Sequence, residues 1–336
     1  MARQPLTDLS SLSRVSFYLG IDGGGTHTRA FLVDDDATCA GGGQSGLSNP
    51  NHARADEVRA NLEAAISGAC QQAGAERANC VSVFVGMAGV TTELGREFCR
   101  DMARQCGLGH AKIGVDHDIR VALAGGLGGQ PGIALIVGTG SSCYGRDAEG
   151  RTWQTGGWEA LISDEGSGYF LGREAIAAAA RMTDGRQAES PLQGRVFAWL
   201  GINAVADLLP RLQDRKLSRS DIAAFAPQLI ELAHRGDLAA LEILDRGAFL
   251  LAEMVAANHR KLPTGPHPDV VITGGLGTAE TIYRRKVEEA IRRQLPAVCL
   301  HEPLLPPVMG AALLAMEQDG LPVTVELLNK LKRFSK

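Results

Sequence analysis

Short apolar runs alternate along the chain with stretches of helical periodicity. In the first half, the apolar runs predict β-strands, and the stretches with apolar side chains every three or four residues predict helices. The predicted strands are 16–21, 29–33, 81–85 and 112–115, and the predicted helices are 53–72, 91–106 and one that ends near 124.

The same alternation begins again in the second half. Strands are predicted at 133–137, 143–146, 152–154, 269–273 and 297–300, with helices at 167–182, through most of the chain to 261, at 279–294 and after Pro307 and Pro322. A strand followed by a glycine loop therefore occurs in both halves, and no low-complexity linker separates them. This pattern indicates two α/β domains with a cleft between them.

Composition excludes several classes of protein. Of the 336 residues, 41 are glycine, about 12% against about 7% in average usage. A hydrophobic share of 45% and a net charge of −4 exclude a disordered chain. The acidic balance argues against a nucleic-acid partner, and no apolar run is long enough to span a membrane.

The cysteines and the first residues of the chain indicate the cellular compartment. Seven scattered cysteines without metal-ligand spacing predict reduced thiols and a cytoplasmic protein. Residues 1–14 have no apolar segment typical of a secretory signal, and we expect them to form a flexible leader.

Three glycine-rich loops each follow a predicted strand. Glycine lets the backbone approach a ligand closely, and successive N–H groups in such a turn bind anions. The absence of a Gly-Lys dipeptide excludes a Walker loop, and the first loop lacks GxGxxG. Asp22 adds a carboxylate suited to a hydrated Mg²⁺. The predicted phosphate-binding residues are Asp22, Gly23, Gly24, Gly25, Thr26 and Thr28, then Gly138, Thr139, Gly140 and Ser141, and finally Gly274 and Gly275.

These loops, in this order, resemble the phosphate and adenosine motifs of the sugar kinase/Hsp70/actin superfamily. Residues 156–167 (GGWEALISDEGS) and 46–49 (GLSN) are similar to sugar-binding segments of the N-acetylglucosamine kinases, in the BadF/BadG/BcrA/BcrD ATPase family. The resemblance runs from about 17 to 318. It implies two RNase H-like (actin-like ATPase) domains, 1–125 joined by 307–336 and 126–306, that close on ATP and a hexose. We also expect a homodimer.

Transfer of a phosphoryl group to a sugar hydroxyl needs a group that accepts the hydroxyl proton. Asp116 and Asp118 both follow the strand at 112–115 and are both candidates. The family spacing, anchored on the ALAGG run at 122–126, favours Asp118, whereas spacing in some other members favours Asp116. The resemblance also implies that the sugar contacts Asn49, Gly156, Gly157, Trp158 and Asp164.

Two residues depart from the family pattern. Glu159 and Ser163 stand where the family usually has glycine. We expect a glutamate beside the sugar pocket to alter which substituent is accepted at C2, for instance by favouring an amine over an acetamide. The choice between N-acetylglucosamine and glucosamine therefore stays open.

The resemblance implies a cytoplasmic kinase that uses ATP and Mg²⁺ to convert an amino sugar, first of all N-acetylglucosamine, to its 6-phosphate. One alternative is an activator ATPase of 2-hydroxyacyl-CoA dehydratases, which holds an iron–sulfur cluster between two subunits. Cys143 follows the second glycine loop, but no partner cysteine stands out. The other is a non-catalytic sugar sensor, for which the roughly 15 residues before the first strand leave no room for a helix-turn-helix.

Overall fold

The computed structural model describes residues 15–215 and 217–335, so the leader expected at 1–14 lies outside the described residues. These residues form two compact units. One comprises the described chain as far as Val121 together with the residues from Pro307 onward, and the other comprises Ala122–Pro306.

The first unit is built on one mixed sheet. Its strands are β1 (Phe17–Gly23), β2 (Thr28–Asp34), β3 (Ala40–Ser45), β4 (Cys80–Met87) and β5 (Lys112–Asp116), and its first helices are α1 (Ala55–Ala73) and α2 (Glu93–Ala103). The strand order is β3-β2-β1-β4-β5, with β1, β2 and β3 antiparallel in turn and β4 and β5 parallel to β1. Helix α3 (Asp118–Gly126) crosses from this unit into the second.

The second unit repeats that topology. Its strands are β6 (Gly132–Val137), β7 (Ser141–Arg146), β8 (Thr152–Gly156), β9 (Asp269–Thr273) and β10 (Cys299–His301). The order β10-β9-β6-β7-β8 again joins an antiparallel meander to two parallel strands. The predicted α/β class is confirmed, and the sheet order of each unit is that expected of an RNase H-like domain.

Helices occupy most of the second unit between its strands. They are α4 (Gly168–Thr183), α5 (Pro191–Leu200), α6 (Leu208–Arg215), α7 (Arg219–Ala223), α8 (Ala226–His234), α9 (Leu238–Lys261), α10 (Gly275–Thr278) and α11 (Ile282–Gln294). The helix predicted at 279–294 thus begins at Ile282, after the separate short helix α10. Within the described ranges, no helix is both long and apolar enough to cross a membrane.

The chain ends with α12 (Pro307–Asp319) and α13 (Val325–Leu331), which belong to the first unit. Residues 308–316 of α12 are all buried, as expected of a helix that is apolar on every side. A Cβ atom on Gly20 of β1 would lie 2.3 Å from the backbone nitrogen of Ala312. Glycine therefore lets α12 lie directly against the central strand of this sheet.

The glycine run Gly41-Gly42-Gly43 lies within β3. An added Cβ would lie 2.2 Å from the carbonyl oxygen of Ala69 at Gly41, and 2.0 Å from that of Ala65 at Gly43. Positions 41 and 43 share one face of the strand because side chains alternate. The two glycines thus allow the backbone of α1 to pack on β3.

We expect Gly43→Ala to destabilise the protein and Gly42→Ala to leave its stability nearly unchanged. The first substitution forces a methyl group into the backbone of α1, and such overpacking costs about 1 to 3 kcal/mol. The matched substitution meets only the flexible end of Gln72, at 3.4 Å. Urea unfolding of both variants measures the difference, and equal midpoints would contradict the packing described here.

Candidate active site

In the first unit, the predicted site residues gather at the carboxyl ends of the parallel strands. Asp22 lies at the end of β1, Asp116 ends β5, and Asp118 begins α3. Parallel strands end at the same edge of a sheet, and the loops that follow them meet there. The sheet therefore brings three carboxylates from distant parts of the sequence to one edge.

The first glycine loop is hydrogen-bonded to the segment that contains Asn49. The carbonyl of Gly24 accepts the backbone N–H groups of Ser48 at 3.0 Å and of Asn49 at 3.2 Å. The hydroxyl of Thr28 donates to the carbonyl of Gly46 at 2.7 Å. The predicted sugar loop and the predicted phosphate loop of this unit therefore form one connected structure.

The loop that follows β4 borders the same place, although it is not among the predicted site residues. Ala88 donates its backbone N–H to the carbonyl of Gly23 at 2.8 Å. Gly89 has a φ of +79°, and a Cβ there would lie 2.8 Å from the side-chain oxygen of Asn49. The glycines that follow the apolar run at 81–85 were the available signal for this loop.

Open space borders the first glycine loop at Gly25. An added Cβ on Gly25 would meet nothing within 4 Å, and its φ lies outside the left-handed region, so the fold itself does not require glycine there. No group of three or more His, Cys, Asp or Glu in the described ranges could hold a metal ion. A Mg²⁺ ion is often held by one or two carboxylates with water and phosphate oxygens, and Asp22 offers one such carboxylate.

The carboxylate of Asp116 forms ion pairs with two arginines. Its carboxylate lies 2.8 Å from Arg120 Nη1 and 3.4 Å from Arg96 Nη2, and it accepts the backbone N–H of His117 at 2.9 Å. Burial alone would raise the pKa of Asp116, but His117 and Arg120 outweigh burial and hold it below its usual value. Asp116 is therefore an ionised group that holds two arginines.

Asp118 has the opposite character. Burial raises the pKa of Asp118 to about 6, against the smaller effect of backbone N–H groups at Ile119 and at Asp118 itself. Burial, reinforced by the charge of Asp118, raises the pKa of Asp22 to about 7, and Arg29 opposes this rise. A carboxylate with a pKa near 6 is well matched to accepting a proton at neutral pH.

In the second unit, the loop from Gly138 to Ser141 lies over the beginning of α4. The carbonyl of Gly138 accepts the N–H of Gly168 at 2.8 Å, and that of Thr139 accepts the N–H of Tyr169 at 3.1 Å. The hydroxyl of Ser141 donates to the carbonyl of Glu165 at 2.7 Å. These bonds fix the second glycine loop against the chain that follows the predicted sugar segment.

The third glycine loop lies beside the second. Gly274 has a φ of +85°, and a Cβ there would lie 2.5 Å from the carbonyl oxygen of Val137, the last residue of β6. An added Cβ on Gly275, the first residue of α10, would meet nothing within 4 Å. The neighbouring strands β6 and β9 thus bring these two predicted nucleotide loops together, with open space at Gly275.

The predicted sugar segment of this unit turns through two left-handed glycines, Gly156 and Gly157. Trp158, which follows them, is 57% exposed. Asp164, in contrast, is buried, and one of its oxygens accepts the N–H of Ser141 at 3.1 Å. Burial raises the pKa of Asp164, and the N–H of Ser141 and the charge of Arg219 limit that rise.

Arg219 lies among the predicted site residues of this unit, although the sequence does not single it out. Its guanidinium lies 2.5 Å from the other oxygen of Asp164 and 2.7 Å from the carboxylate of Glu159. Glu159 has a φ of +70°, the left-handed conformation that favours glycine, which is the residue that the family resemblance leads us to expect at this position. Nothing in the sequence around Arg219 marks it, because its partners are distant along the chain.

Replacing Asp118 or Asp22 by asparagine is expected to stabilise the protein at pH 8 and to change little at pH 4. A carboxyl whose pKa is raised by folding binds its proton more tightly in the folded state. Stability therefore falls as the pH rises from about 4 through the folded pKa values of about 6 and 7. Each substitution removes that loss, so the free energy of unfolding measured with urea at pH 8 should rise by about 1 to 3 kcal/mol.

Asp116→Asn is the matched control, and we expect it to change stability in the opposite direction. Folding lowers the pKa of the Asp116 carboxyl, so this group stabilises the protein above its unfolded pKa, and that stabilisation is lost as the pH falls. Asp116→Asn should therefore destabilise the protein at pH 8. If Asp118→Asn destabilised it equally, the contrast between the two carboxylates would be wrong.

Comparison with known proteins finds similar sugar kinases. An N-acetylmuramic acid/N-acetylglucosamine kinase from Clostridium acetobutylicum is 33% identical over 234 residues, which cover 70% of this chain and 76% of that protein. A glucosamine kinase from Vibrio cholerae is 30% identical over 247 residues, which cover 74% of this chain and 82% of that one.

A solved structure shows the same fold. It is described as a candidate N-acetylglucosamine kinase from Chromobacterium violaceum, and it aligns with a TM-score of 0.73 at 28% identity, covering 90% of this chain and 99% of its own. The sugar kinase and actin-like ATPase fold predicted from the glycine loops is thereby confirmed. Residues 19–315 also match the sequence model of one family, and the chain belongs to the BadF/BadG/BcrA/BcrD ATPase family.

Proposed function

We propose that this chain is a kinase that transfers the γ-phosphoryl group of ATP to the 6-hydroxyl of an amino sugar. One observation carries the proposal. Asp118 begins α3 at the edge where β1 and its glycine loop end, with a pKa raised to about 6 and no cation within ion-pair distance among the described residues. The membership in a family of ATPases and the names of the relatives support ATP as the phosphoryl donor and an amino sugar as the acceptor.

The three glycine loops are proposed to hold the nucleotide. Backbone N–H groups of residues 23–26 and 138–141 would bind phosphate oxygens, and Gly274 and Gly275 would lie against the adenosine. Asp22 would hold Mg²⁺ through its carboxylate, and the bound ion would neutralise charge on the phosphates. Among the chain's own residues, Asp118 is proposed to accept the proton of the sugar hydroxyl, while Asp116 keeps Arg96 and Arg120 in place.

The proposed sugar residues have different parts to play. Exposed Trp158 would provide an apolar platform for one face of the ring, and the amide of Asn49 would bond a hydroxyl. Gly156 and Gly157 shape the turn that presents Trp158. One oxygen of Asp164 accepts the N–H of Ser141, and the other is ion-paired with Arg219 without hydrogen-bond geometry, so its contribution to sugar binding would come mainly from holding the segment.

The preferred sugar is proposed to be N-acetylglucosamine, with glucosamine as the alternative. The relatives named above act between them on N-acetylated and free amino sugars. Glu159 was the residue expected to favour a free amine, but its carboxylate is already paired with Arg219. That pairing weakens the case for a direct contact with an amine and favours the acetamide substrate.

The activator alternative loses its main support. Cys143 is fully buried in β7, and burial strongly raises the pKa of its thiol. A ligand of a cluster shared by two subunits must reach the protein surface as a thiolate.

The protein is also proposed to form a homodimer and to be cytoplasmic. The first is checked by light scattering, and the second agrees with seven free cysteines.

A panel of sugars tests the substrate class. With MgATP, we expect the highest kcat/KM for N-acetylglucosamine among N-acetylglucosamine, glucosamine, N-acetylmannosamine, N-acetylmuramate and glucose. The reason is that the proposed sugar residues offer an apolar platform and an amide, while the carboxylates of Glu159 and Asp164 are already paired with Arg219. Formation of ADP coupled to recovery of a sugar 6-phosphate by mass spectrometry is the measurement. Phosphorylation of none of the amino sugars would contradict the proposed function.

Asp118→Asn should keep the fold and lower kcat by about 10² to 10⁴, the usual contribution of a general base. In the wild type, kcat/KM should fall about tenfold per pH unit below about 6, because the base must be ionised to act. Asp116→Asn should weaken activity less and retain this acidic limb. Near wild-type turnover in Asp118→Asn, or loss of the limb in Asp116→Asn alone, would reassign the base.

A further inference from the structure

Two backbone positions in the predicted sugar segment are unusual. Among the described residues, the non-glycine residues with positive φ are Ala37, Glu159 and Asp164. Residues other than glycine rarely adopt this backbone conformation, and it persists only where the surrounding structure enforces it. Two of the three lie in one short segment, and the carboxylates of both meet the guanidinium of Arg219.

The guanidinium also rests on the second glycine loop. A Cβ on Gly140 would lie 1.9 Å from Arg219 Nη2 and 2.6 Å from the Oδ1 atom of Asp164. Only glycine leaves space for the cation at this point. Arg219 therefore contacts the predicted phosphate loop and the predicted sugar segment at the same time.

The backbone around Arg219 is held firmly. Ser218 and Asp221 form reciprocal capping bonds at the start of α7, with Ser218 Oγ accepting the N–H of Asp221 at 3.1 Å. A Cβ on Gly172 of α4 would lie 2.1 Å from the carbonyl oxygen of Ile222. Helix α7 thus packs backbone to backbone on the helix that follows the sugar segment, which fixes the base of the Arg219 side chain.

The two connected segments differ in how many other bonds hold them. The second glycine loop keeps its bonds to Gly168, Tyr169 and Glu165 without Arg219. The turn at Glu159 is bonded mainly to itself, through the N–H groups of Ile162 and Ser163, which donate to the carbonyl of Glu159. Loss of Arg219 should therefore loosen the sugar segment more than the phosphate loop.

We propose that Arg219 is a positioning residue that fixes the Trp158–Asp164 segment to the Gly138–Ser141 loop through a shared ion pair with Glu159 and Asp164. It sets the affinity for the sugar without touching the sugar or the nucleotide. This inference rests on the proposed kinase function for its kinetic readout only.

The test compares Arg219→Met with Arg219→Lys. Methionine keeps much of the side-chain length and removes both ion pairs, so the KM for the sugar should rise about tenfold or more. The Kd of a fluorescent ATP analogue, measured without sugar, should change less than about twofold. Lysine keeps the charge but cannot bridge both carboxylates in the same geometry, and should restore part of the sugar affinity. Arg186→Met, which removes an exposed ion pair with Asp184, is the control and should change neither constant.

A double-mutant cycle tests the partner. Glu159→Gln should raise the KM for the sugar less than Arg219→Met does, and the double variant should be no worse than Arg219→Met alone. Additive effects would overturn the shared ion pair. An unchanged KM in Arg219→Met would overturn the positioning role, and an equal loss of nucleotide affinity would show that the guanidinium binds the nucleotide itself.

Hydrogen exchange separates this inference from the proposed function. Amide exchange in residues 157–163 should accelerate in Arg219→Met, with exchange in β6 unchanged, whether or not any sugar is phosphorylated. Unchanged exchange would overturn the inference. An inactive wild type with accelerated exchange in the variant would refute the kinase and leave the positioning role standing.

Discussion

The close approach of backbone segments at glycine is the constraint on which this structure depends. Helix α12 reaches the central strand of its sheet only because Gly20 has no side chain, and α1 packs on β3 for the same reason at Gly43. In the second unit, Gly274 lets one loop press against the end of β6. The glycine content therefore reflects tight packing as much as ligand binding. The two uses are told apart by what an added Cβ would meet.

Three carboxylates at the edge of the first sheet show how local surroundings give chemically identical groups different pKa values. Asp116 is neutralised by arginines from α2 and α3, and its pKa is lowered. Asp118, only two positions later, is buried without an ion pair to any described residue, and its pKa is raised. The pKa of Asp22 is raised to about 7 by burial and, to a smaller extent, by the charge of Asp118. Pairs of like groups with opposite shifts are a mark of sites that transfer protons.

The sequence predicts those features that depend on neighbours along the chain. Apolar runs located the strands, and the glycines after them located the loops, because both signals are local. The packing role of Gly41 and Gly43 was not predictable, since the helix that requires it begins at Ala55. The arginines that hold Asp116, and Arg219, were missed for a related reason. A single arginine carries no pattern, and only the folded chain shows which carboxylate it meets.

The repeated topology of the two sheets sharpens where the chemistry resides. The ends of β5 and β10 are equivalent positions in the two sheets. Strand β5 ends at Asp116 and is followed by His117 and Asp118, and β10 ends at His301 and is followed by Glu302. At β10, His301 is paired with Asp269 at 2.6 Å, and Glu302 is paired with Arg284. At β5, Asp116 is paired in the same way, but Asp118 has a raised pKa and no ion pair with the residues that the structure describes. Among the described residues, the two sheets thus share a topology but differ in charge placement. The edge of the first carries a carboxylate with a raised pKa, and the second carries two predicted nucleotide loops and the segment that Arg219 contacts. The proposed division into a catalytic unit and a binding unit rests on charge placement, not on topology.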